Sequence, residues 1–341
     1  MKILITGVNG FIGTHLTEAV LDRTDWEIMG FDIAAGNLKP FEGRKGFAFH
    51  QGDAFKENEW LEAQVAACDV VLPLAGIAKP AYYIEKPVWT FELDFEQNLK
   101  MVRYCAKHGK RVIFPSTSEV YGMSADNVLK EDESPLITGP ICKSRWIYSC
   151  SKQMMDRMIF AYGQEKGLQF TLFRPFNWVG PRLDTFKDAS EHKARSITQM
   201  IYDVLYRGKI SLVNGGEQRR SFTWVGDGID ALMAIIENKD GKASGQIFNV
   251  GNPANNYSVK ELAEMTIDEM KGFPAFRAAA EKAELEVIPS DRYYGKAYDD
   301  MQNRRPSVEK MERLLGWVPR TDMRSMLRQT IAWYAERIDQ E

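Results

Sequence analysis

Tyr148 and Lys152 have the residue types and the spacing of a base that takes a proton from an alcohol. Residues i and i+4 share one face of a helix, so we expect the Lys152 ammonium to lie beneath the Tyr148 phenol. There its charge would lower the phenol pKa from the usual value of about 10 and favour the phenolate. The same pair also occurs by chance at the start of ordinary amphipathic helices, so its meaning depends on the rest of the chain.

Hydroxyl and carboxylate side chains precede this pair in the segment 115–122. Thr117, Ser118 and Glu119 come after the apolar run that starts at Arg111, which is typical of a buried strand. Ligands of parallel sheets gather at the carboxyl ends of strands, so we expect these three side chains to face the same ligand as Tyr148. The two hydroxyls could stabilise an oxyanion, whereas Glu119 could repel a substrate carboxylate or relay a proton.

A glycine-rich turn near the start of the chain predicts a dinucleotide site. The apolar strand Lys2–Thr6 runs into Gly-x-x-Gly-x-x-Gly and then into a helical pattern. Such glycines permit a tight turn and aim the first N–H groups of the helix at a pyrophosphate. Asp32 ends the next strand, where its carboxylate would bind a ribose 2′-hydroxyl and repel a 2′-phosphate, so we expect NAD rather than NADP. The other residues expected here are Gly7, Gly10, Phe11, Ile12 and Gly13, with Leu74 and Ala75 at the end of a neighbouring strand.

These residues need a doubly wound sheet to bring them together. Strand-like and helix-like segments alternate through the first half of the chain, and the second half is less regular. We therefore predict an α/β fold: a Rossmann-type doubly wound parallel sheet with a smaller, mostly C-terminal α/β lobe that binds substrate. The predicted NAD-binding domain spans residues 1–175, and the predicted substrate-binding lobe spans residues 176–341 with segments that return to the first domain. Long loops at 122–146 and 181–192 are expected to border the active site.

The composition argues against several classes of protein. The chain has 341 residues and a formal net charge of −3, so we expect neither nucleic acid nor a membrane as a partner. No apolar stretch has the length of a transmembrane helix, and the first strand pattern starts at residue 2, which favours a cytoplasmic location. The four cysteines and four histidines lack ligand spacing, so we expect reduced thiols and no metal site.

The helix predicted from Tyr148 to Tyr162 carries more apolar surface than one sheet face needs. Its apolar residues are Met154, Met158 and Tyr162 on one stripe, with Met155 and Ile159 beside it. We expect a homodimer in which this helix and the one predicted from Phe91 to His108 pair with their symmetry mates. The alternative is a helix buried inside the chain.

With these motifs in place, the chain resembles the extended short-chain dehydrogenases/reductases that act on nucleotide sugars. Among them it is most similar to the NAD-dependent UDP-glucuronate decarboxylases, the type that forms one domain of the bifunctional polymyxin-resistance enzymes. The resemblance rests on the runs Gly7–Gly13, Phe91–Phe95, Ile113–Met123, Arg145–Tyr148, Gly167–Gly180 and Tyr293–Lys296.

The resemblance implies contacts to NAD and to a UDP-sugar. For NAD it implies Asp32, Asp53 and Ala54 around the adenosine, and Thr117, Tyr148 and Lys152 near the nicotinamide. For the UDP-sugar it implies Ala78, Tyr83, Arg145, Asn177, the stretch from Ser211 to Arg220, and Tyr298. Arg219 and Arg220 follow a Gly-Gly turn, where two cations would suit a diphosphate, although a solvated charged turn is the alternative.

The implied reaction is oxidation of UDP-glucuronic acid followed by loss of CO2, which yields a UDP-4-keto-pentose. Oxidation at C4 leaves a ketone β to the carboxylate, and such an acid decarboxylates readily. The family assigns a proton-donor role to Arg304. Because an arginine pKa lies above about 12, we expect Arg304 to orient the substrate carboxylate and hold a water instead.

Three alternatives stay open at the level of sequence. A UDP-xylose synthase would use the same two steps and then return the hydride, and nothing in the sequence separates it. A nucleotide-sugar 4-epimerase or 4,6-dehydratase would not need Glu119 and Arg304 together. A catalytically dead NAD-binding regulatory protein would not need Ser118, Tyr148 and Lys152.

Overall fold

The chain alternates short strands with helices, and the strands assemble into one large sheet and three small ones. The computed structural model describes residues 1–289 and 301–338. Within these residues the strands are β1 (Lys2–Thr6), β2 (Glu27–Asp32), β3 (Phe47–Gln51), β4 (Val70–Pro73), β5 (Arg111–Pro115), β6 (Phe170–Pro175), β7 (Trp178–Val179), β8 (Lys209–Val213), β9 (Arg219–Ser221), β10 (Thr223–Trp224), β11 (Gln246–Val250), β12 (Asn256–Ser258), β13 (Glu284–Ile288) and β14 (Asn303–Arg304).

Helices connect most of these strands. In the described part of the chain they are α1 (Phe11–Arg23), α2 (Asn58–Ala67), α3 (Pro80–Glu85), α4 (Pro87–Phe91), α5 (Asn98–His108), α6 (Trp146–Lys166), α7 (Phe186–Ser190), α8 (Ser196–Tyr206), α9 (Val225–Glu237), α10 (Val259–Met270), α11 (Pro274–Ala280), α12 (Glu309–Leu315) and α13 (Met323–Ala335). Of the helices in these two ranges, none is both long and apolar enough to cross a membrane.

The large sheet has seven parallel strands among the described residues, in the order β11-β6-β5-β4-β1-β2-β3. The chain builds outward from β1 through β2 to β3 and then crosses back to β4 on the other side of β1. This reversal opens a crevice at the carboxyl ends of β1 and β4, where ligands bind in doubly wound folds. The predicted Rossmann-type α/β fold is therefore confirmed.

Apolar side chains of the sheet supply a core on each face. Ile3 and Ile5 of β1 pack into the cluster that contains α1 and α9, whereas Leu4 packs into the cluster that contains α2, α5 and α6. Successive strand residues point to opposite faces, so a strand segment buried on both sides must be apolar throughout, as Ile3, Leu4 and Ile5 of β1 are.

The second half of the chain forms a separate core and also returns to the sheet. Apolar residues of α8, α10 and α13 make up most of that core. β8 pairs with β13, and β9 lies between β12 and β14. β11 pairs with β6 at the edge of the large sheet. The division of the chain at residue 175 into an NAD-binding domain and a sugar-binding lobe stays a prediction.

The two helices predicted beside the site differ in regularity. The helix predicted at Tyr148–Tyr162 is α6, which is longer at both ends and stops at Gly167, whose φ of 68° is a left-handed cap. The helix predicted at Phe91–His108 is interrupted, because a π-helical turn at Glu92–Gln97 separates α4 from α5. Such wide turns place side chains that a regular helix could not, and they are frequent at functional sites.

Candidate active site

The glycine-rich turn between β1 and α1 leaves room for a closely approaching backbone. Gly7 has a φ of 75°, and a Cβ built on it would lie 2.6 Å from the Ala75 backbone N. A Cβ at Gly13 would lie 2.6 Å from the Gly7 carbonyl oxygen. Larger residues at these positions would push the turn away from the loop that follows β4. The turn leads directly into Phe11 and Ile12 at the start of α1, so the first helical N–H groups can receive a pyrophosphate.

Asp32 is held at the carboxyl end of β2 beside this turn. Its carboxylate accepts hydrogen bonds from the backbone N–H groups of Asn9 (3.0 Å) and Ala34 (3.1 Å). Burial raises the pKa of Asp32, and the hydrogen bonds from Ala34 and Asn9 oppose that rise. The carboxylate is thereby fixed next to the glycines, as a ribose ligand requires.

The remaining predicted cofactor residues border the same crevice. Asp53 and Ala54 follow β3, and the N–H of the preceding Gly52 donates to the Asp32 carbonyl at 2.9 Å. Leu74 donates its N–H to the Thr6 carbonyl at 2.9 Å, which brings the end of β4 against the glycine turn. These positions fit an NAD molecule laid across the carboxyl ends of β1, β2 and β4.

Tyr148 and Lys152 are both buried on the inner face of α6. Tyr148 hydrogen-bonds to the side chains of Thr117 and Tyr83, and the Tyr83 ring stacks on it with a centroid distance of 4.3 Å. The Lys152 Nζ lies 5.8 Å from the centre of the Tyr148 ring, so the two residues do share a face.

The predicted effect of Lys152 on Tyr148 is wrong for this structure. Burial raises the pKa of Tyr148, and the negative charge of Asp94 raises it further. The Lys152 Nζ lies 3.1 Å from Asp94 Oδ1 and donates to the Pro115 carbonyl at 3.1 Å, so its charge is largely balanced. Sequence reasoning missed Asp94, because the run Phe91–Phe95 carries two acids, Glu92 and Asp94, and the sequence alone does not single out the buried one.

Glu119 lies between two buried arginines. The Arg145 guanidinium contacts Glu119 Oε2 at 2.5 Å, and Arg304 Nη1 contacts Oε1 at 2.9 Å. Arg304 Nη1 also lies 3.4 Å from the Ser118 hydroxyl. Thr117 caps this short 3₁₀ turn by accepting the Glu119 N–H at 3.2 Å. The Arg145–Glu119–Arg304 cluster therefore brings two guanidinium groups and one carboxylate together beside the hydroxyls of Thr117 and Ser118.

A short strand delivers Arg304 to this cluster. β14 pairs in parallel with β9, and Arg304 lies opposite Arg220 in the register. The Leu129 N–H donates to the Arg305 carbonyl at 2.8 Å, and the Ser307 N–H donates to the Leu129 carbonyl at 2.8 Å. The residues that follow Arg304 are thus held by the loop that follows Glu119.

The side chains of the two consecutive arginines of β9, Arg219 and Arg220, point to opposite faces of the strand. Arg220 is 8% exposed and shares a face with Arg304, because partners in register on parallel strands point the same way. The Arg219 side chain is 42% exposed and lies 3.1 Å from Glu261, with its Nε donating to Asn256. Strand alternation therefore separates the predicted pair, and Arg220 alone faces the site.

The other predicted substrate residues lie in several different elements. Ala78 follows the end of β4 in the loop before α3. Asn177 has a φ of 38° and its amide donates to the Ser221 carbonyl at 2.9 Å, which ties the end of β6 to β9. Ser211 lies in β8 opposite Glu286 of β13. Tyr298 lies outside the described residues.

A buried polar network supports the turn that carries Thr117. The Ser116 hydroxyl donates to Asp156 at 2.8 Å, and Arg174 donates to the same carboxylate at 3.1 Å. Arg174 also donates to the Tyr121 hydroxyl at 2.9 Å, which in turn donates to Asn249 at 2.8 Å. Sequence reasoning missed this network because its members come from five separate segments. It joins β5, α6, β6 and β11 at the end where the site lies.

Comparison with known proteins agrees with this arrangement. Residues 3–251 match the model of the NAD dependent epimerase/dehydratase family. The PbgP3 protein from Burkholderia pseudomallei, whose crystal structure is known, has a sequence 46% identical to this one. The match covers 99% of this chain and 97% of that chain, with a TM-score of 0.90.

More distant structures show the same fold. A dTDP-glucose 4,6-dehydratase from Bacillus anthracis in complex with NAD is 21% identical over 100% of this chain and 98% of that chain, with a TM-score of 0.79. A UDP-glucuronic acid 4-epimerase mutant from Bacillus cereus, in complex with a fluorinated UDP-glucuronic acid and NAD, is 22% identical over 99% of this chain and 100% of that chain, with a TM-score of 0.80.

The family model and the crevice lead to the same cofactor. The prediction that NAD is the cofactor is confirmed. The glycine turn and Asp32 fit this cofactor, because a Cβ at Gly7 would close the space that the turn leaves open. The chain belongs to the NAD dependent epimerase/dehydratase family.

Proposed function

We propose that this protein is an NAD-dependent decarboxylase that converts UDP-glucuronic acid to a UDP-4-keto-pentose and CO2. The observation that carries the proposal is the Arg145–Glu119–Arg304 cluster, which lies beside Ser118 and Tyr148. An enzyme that only moves a hydride at C4 needs the tyrosine and the hydroxyls. A cluster of buried charges next to them suits a substrate with a carboxylate adjacent to that carbon.

The charges on this side of the crevice suit the proposed substrate. Arg145, Arg220 and Arg304 are all buried, and Arg145 and Arg304 both contact Glu119. A UDP-uronate carries a diphosphate and a carboxylate. Because the whole chain has a net charge of −3, attraction for such an anion must come from a local cluster of this kind.

The first step is removal of the C4 hydroxyl proton by Tyr148. When bound, NAD+ would accept the C4 hydride, and its positive ring would favour the phenolate form of Tyr148. Thr117 hydrogen-bonds to the Tyr148 hydroxyl and keeps it aimed at the same point. Proton removal by a positioned base contributes about 10²- to 10⁴-fold to such a rate.

The second step is loss of CO2 from the β-keto acid. Electrons released from the carboxylate move to O4, where the hydroxyls of Tyr148, Thr117 and Ser118 can donate hydrogen bonds to the enolate. Arg304 and Arg145 would orient the carboxylate. Arginines that bind the carboxylate too tightly would stabilise it before the reaction and slow its departure, so we infer that Glu119, which contacts both, limits this ground-state binding.

Two other outcomes use the same first step. A UDP-xylose synthase would return the hydride to the decarboxylated sugar, and a 4-epimerase would return it without losing CO2. The structure has no feature that favours the first over the proposed reaction. The Arg304–Glu119 contact argues against the second, because a 4-epimerase has no need to position a carboxylate for departure.

One assay separates these outcomes. Purified protein is incubated with UDP-glucuronic acid and NAD+, and CO2, NADH and the sugar products are measured together. We expect CO2 and NADH in equal amounts with a UDP-4-keto-pentose. CO2 with UDP-xylose and no accumulated NADH would indicate the synthase, and UDP-galacturonic acid without CO2 would indicate the epimerase and contradict the proposal.

A further inference from the structure

Asp94 and Lys152 form a buried ion pair next to the proposed base. The Asp94 side chain is 0% exposed, and its Oδ1 lies 3.1 Å from Lys152 Nζ. Its Oδ2 accepts the backbone N–H of Ile77 at 3.1 Å. Taking both charges out of water is costly, and apolar residues of similar size often stabilise a fold as well as such a pair does. An ion pair at this position therefore points to a role in chemistry.

The backbone around Asp94 is shaped to admit its carboxylate. Asp94 lies in the π-helical turn Glu92–Gln97, which interrupts the run from α4 to α5. The Asn98 amide donates to the carbonyls of Leu93 (3.1 Å) and Ala75 (3.2 Å), so it ties the turn to the loop after β4. A Cβ at Gly76 would lie 2.6 Å from Asp94 Oδ1. Both the wide turn and the glycine are needed for the carboxylate to reach Lys152.

Several charged or titratable groups face Tyr148 from the elements packed around it. Lys152 lies one turn further along α6, Tyr83 stacks from α3, and Glu119 follows β5 with Arg145 bound to it. Burial is the main cause of the raised pKa of Tyr148, and Asp94 is the largest contribution from a charge. Glu119 acts in the same direction but is balanced by its two arginines. Asp94 is thus the carboxylate with the greatest influence on this phenol.

We propose that Asp94 is a positioning residue for the oxidation step. It holds the Lys152 ammonium in place and offsets its charge, so that Tyr148 stays basic enough to take the substrate proton. A phenolate next to an unopposed ammonium forms easily but is a weaker base, and general-base rates fall with base strength. The Lys152 Nζ donates one hydrogen bond to the Pro115 carbonyl and lies 3.1 Å from Asp94 Oδ1. An ammonium has three N–H donors, so another of them can turn toward Tyr148 or a ribose hydroxyl.

The test is the pH dependence of Asp94→Asn. Asparagine keeps the size and an oxygen for the Ile77 N–H but removes the charge. We expect the acidic limb of the pH profile of kcat to move to lower pH by about one unit, because Tyr148 then loses its proton more easily. The plateau rate should fall about threefold, because the phenolate that forms more easily is also a weaker base. The readout is product formed from UDP-glucuronic acid at saturating NAD+. Glu96→Gln is the matched control, since it removes one carboxylate from the exposed side of the same turn.

A second variant keeps the carboxylate and moves it. Gly76→Ala places a methyl group against Asp94 Oδ1, so the carboxylate must retreat from Lys152. The acidic limb should move in the same direction by a smaller amount. An acidic limb that stays at the wild-type pH in a folded Asp94→Asn or Gly76→Ala protein would overturn the inference, even if kcat falls, because a purely structural role lowers the rate without moving the limb.

The inference rests on the proposed oxidation step and not on the loss of CO2. A wild-type protein that forms no product from UDP-glucuronic acid and NAD+ would contradict the proposed function. A wild-type protein that forms product, together with variants whose pH dependence is unchanged, would contradict only the proposed role of Asp94.

Discussion

At the scale of single residues, the site combines two charge balances of different kinds. Lys152 and Asp94 cancel each other beside the base. Glu119 is held between two arginines. The first arrangement offsets the Lys152 charge beside the base, and the second brings two guanidinium groups and a carboxylate to the place where we put the substrate carboxylate. Each balance gives a different prediction when one partner is removed.

Replacement of Tyr148 by phenylalanine should stop the oxidation step. The variant keeps the ring that stacks on Tyr83 but loses the hydroxyl bonded to Thr117. We expect product formation to fall by about 10²- to 10⁴-fold, which is the usual effect of a lost general base. The measurement is single-turnover formation of bound NADH, with NAD+ affinity determined by titration. Tyr162→Phe, on the same helix, is the control, and a Tyr148→Phe rate within a few-fold of wild type would exclude Tyr148 as the base.

Changes in the Arg145–Glu119–Arg304 cluster should separate binding from CO2 release. Glu119→Gln removes the carboxylate that both arginines contact, so we expect tighter binding of UDP-glucuronic acid and CO2 release slowed at least tenfold, about 1.4 kcal/mol. Arg304→Ala removes an orienting group, so CO2 release should fall while KM rises. Both variants should bind NAD+ as the wild type does. The measurements are CO2 release, KM and substrate affinity by calorimetry.

Neighbouring residues supply the controls for these two variants. Arg305→Ala removes the adjacent guanidinium, which donates to the Pro253 carbonyl on the surface, and Glu133→Gln removes an exposed carboxylate. Both should leave CO2 release unchanged. CO2 release at the wild-type rate in both Glu119→Gln and Arg304→Ala would show that the cluster takes no part in decarboxylation.

At the scale of elements, the segment after β7 is attached to the start of α1 by charged side chains. Arg195 lies against Asp184 at 3.0 Å and stacks over the Phe11 ring at 5.3 Å. Arg182 donates to His15 Nδ1 at 3.0 Å, and His15 Nε2 contacts the Pro181 carbonyl at 2.9 Å. A neutral His15 with its proton on Nε2 satisfies both contacts. The helix that begins at the cofactor turn is therefore tied to the second half of the chain.

This attachment should weaken as the pH falls. Burial and the Arg182 charge lower the pKa of His15 from 6.5 to about 4. Between these values the unfolded chain binds a proton that the folded chain does not, so stability decreases as the pH drops from 6.5 toward 4. His15→Gln can keep both contacts without titrating, so it should lose less stability over this range. Urea unfolding at several pH values measures the difference, and parallel curves for the two proteins would contradict this role of His15.

At the scale of the whole molecule, α6 presents an exposed apolar face away from the site. Met155 and Ile159, which we expect beside the apolar stripe of this helix, are fully buried in the core. Met154 and Phe160 are 49% and 44% exposed and flank Arg157 on the outer face. Single exposed apolar residues are ordinary, but two large ones on one helix next to α5 suit contact with a second copy.

We predict a homodimer formed through α5 and α6. Met154→Asp combined with Phe160→Asp would place like charges near a twofold axis, so the variant should be a monomer at micromolar concentration. Light scattering should give twice the mass of one chain for the wild type and for Val287→Asp, which alters an exposed apolar residue elsewhere. A monomeric wild type would rule out the dimer.

Local features of this protein follow from its sequence. The apolar strands, the glycine turn and the limits of α6 are set by short-range preferences, and they lie within a few residues of the expected positions. The shared face of Tyr148 and Lys152 follows from helix geometry alone. The cofactor also follows, because the turn and Asp32 belong to one short β-α-β unit.

The tertiary structure decided which charges meet. Glu119 and Arg304 are 185 residues apart, and they meet because β14 adds to β9 beside the loop after β5. Asp94 reaches Lys152 through a π-helical turn that no periodicity predicts, and strand alternation sends Arg219 and Arg220 to opposite faces. The sequence by itself determines conformations that depend on neighbouring residues. The balance of charges at the site depends on strand order and on turns between distant segments, so only the folded chain shows it.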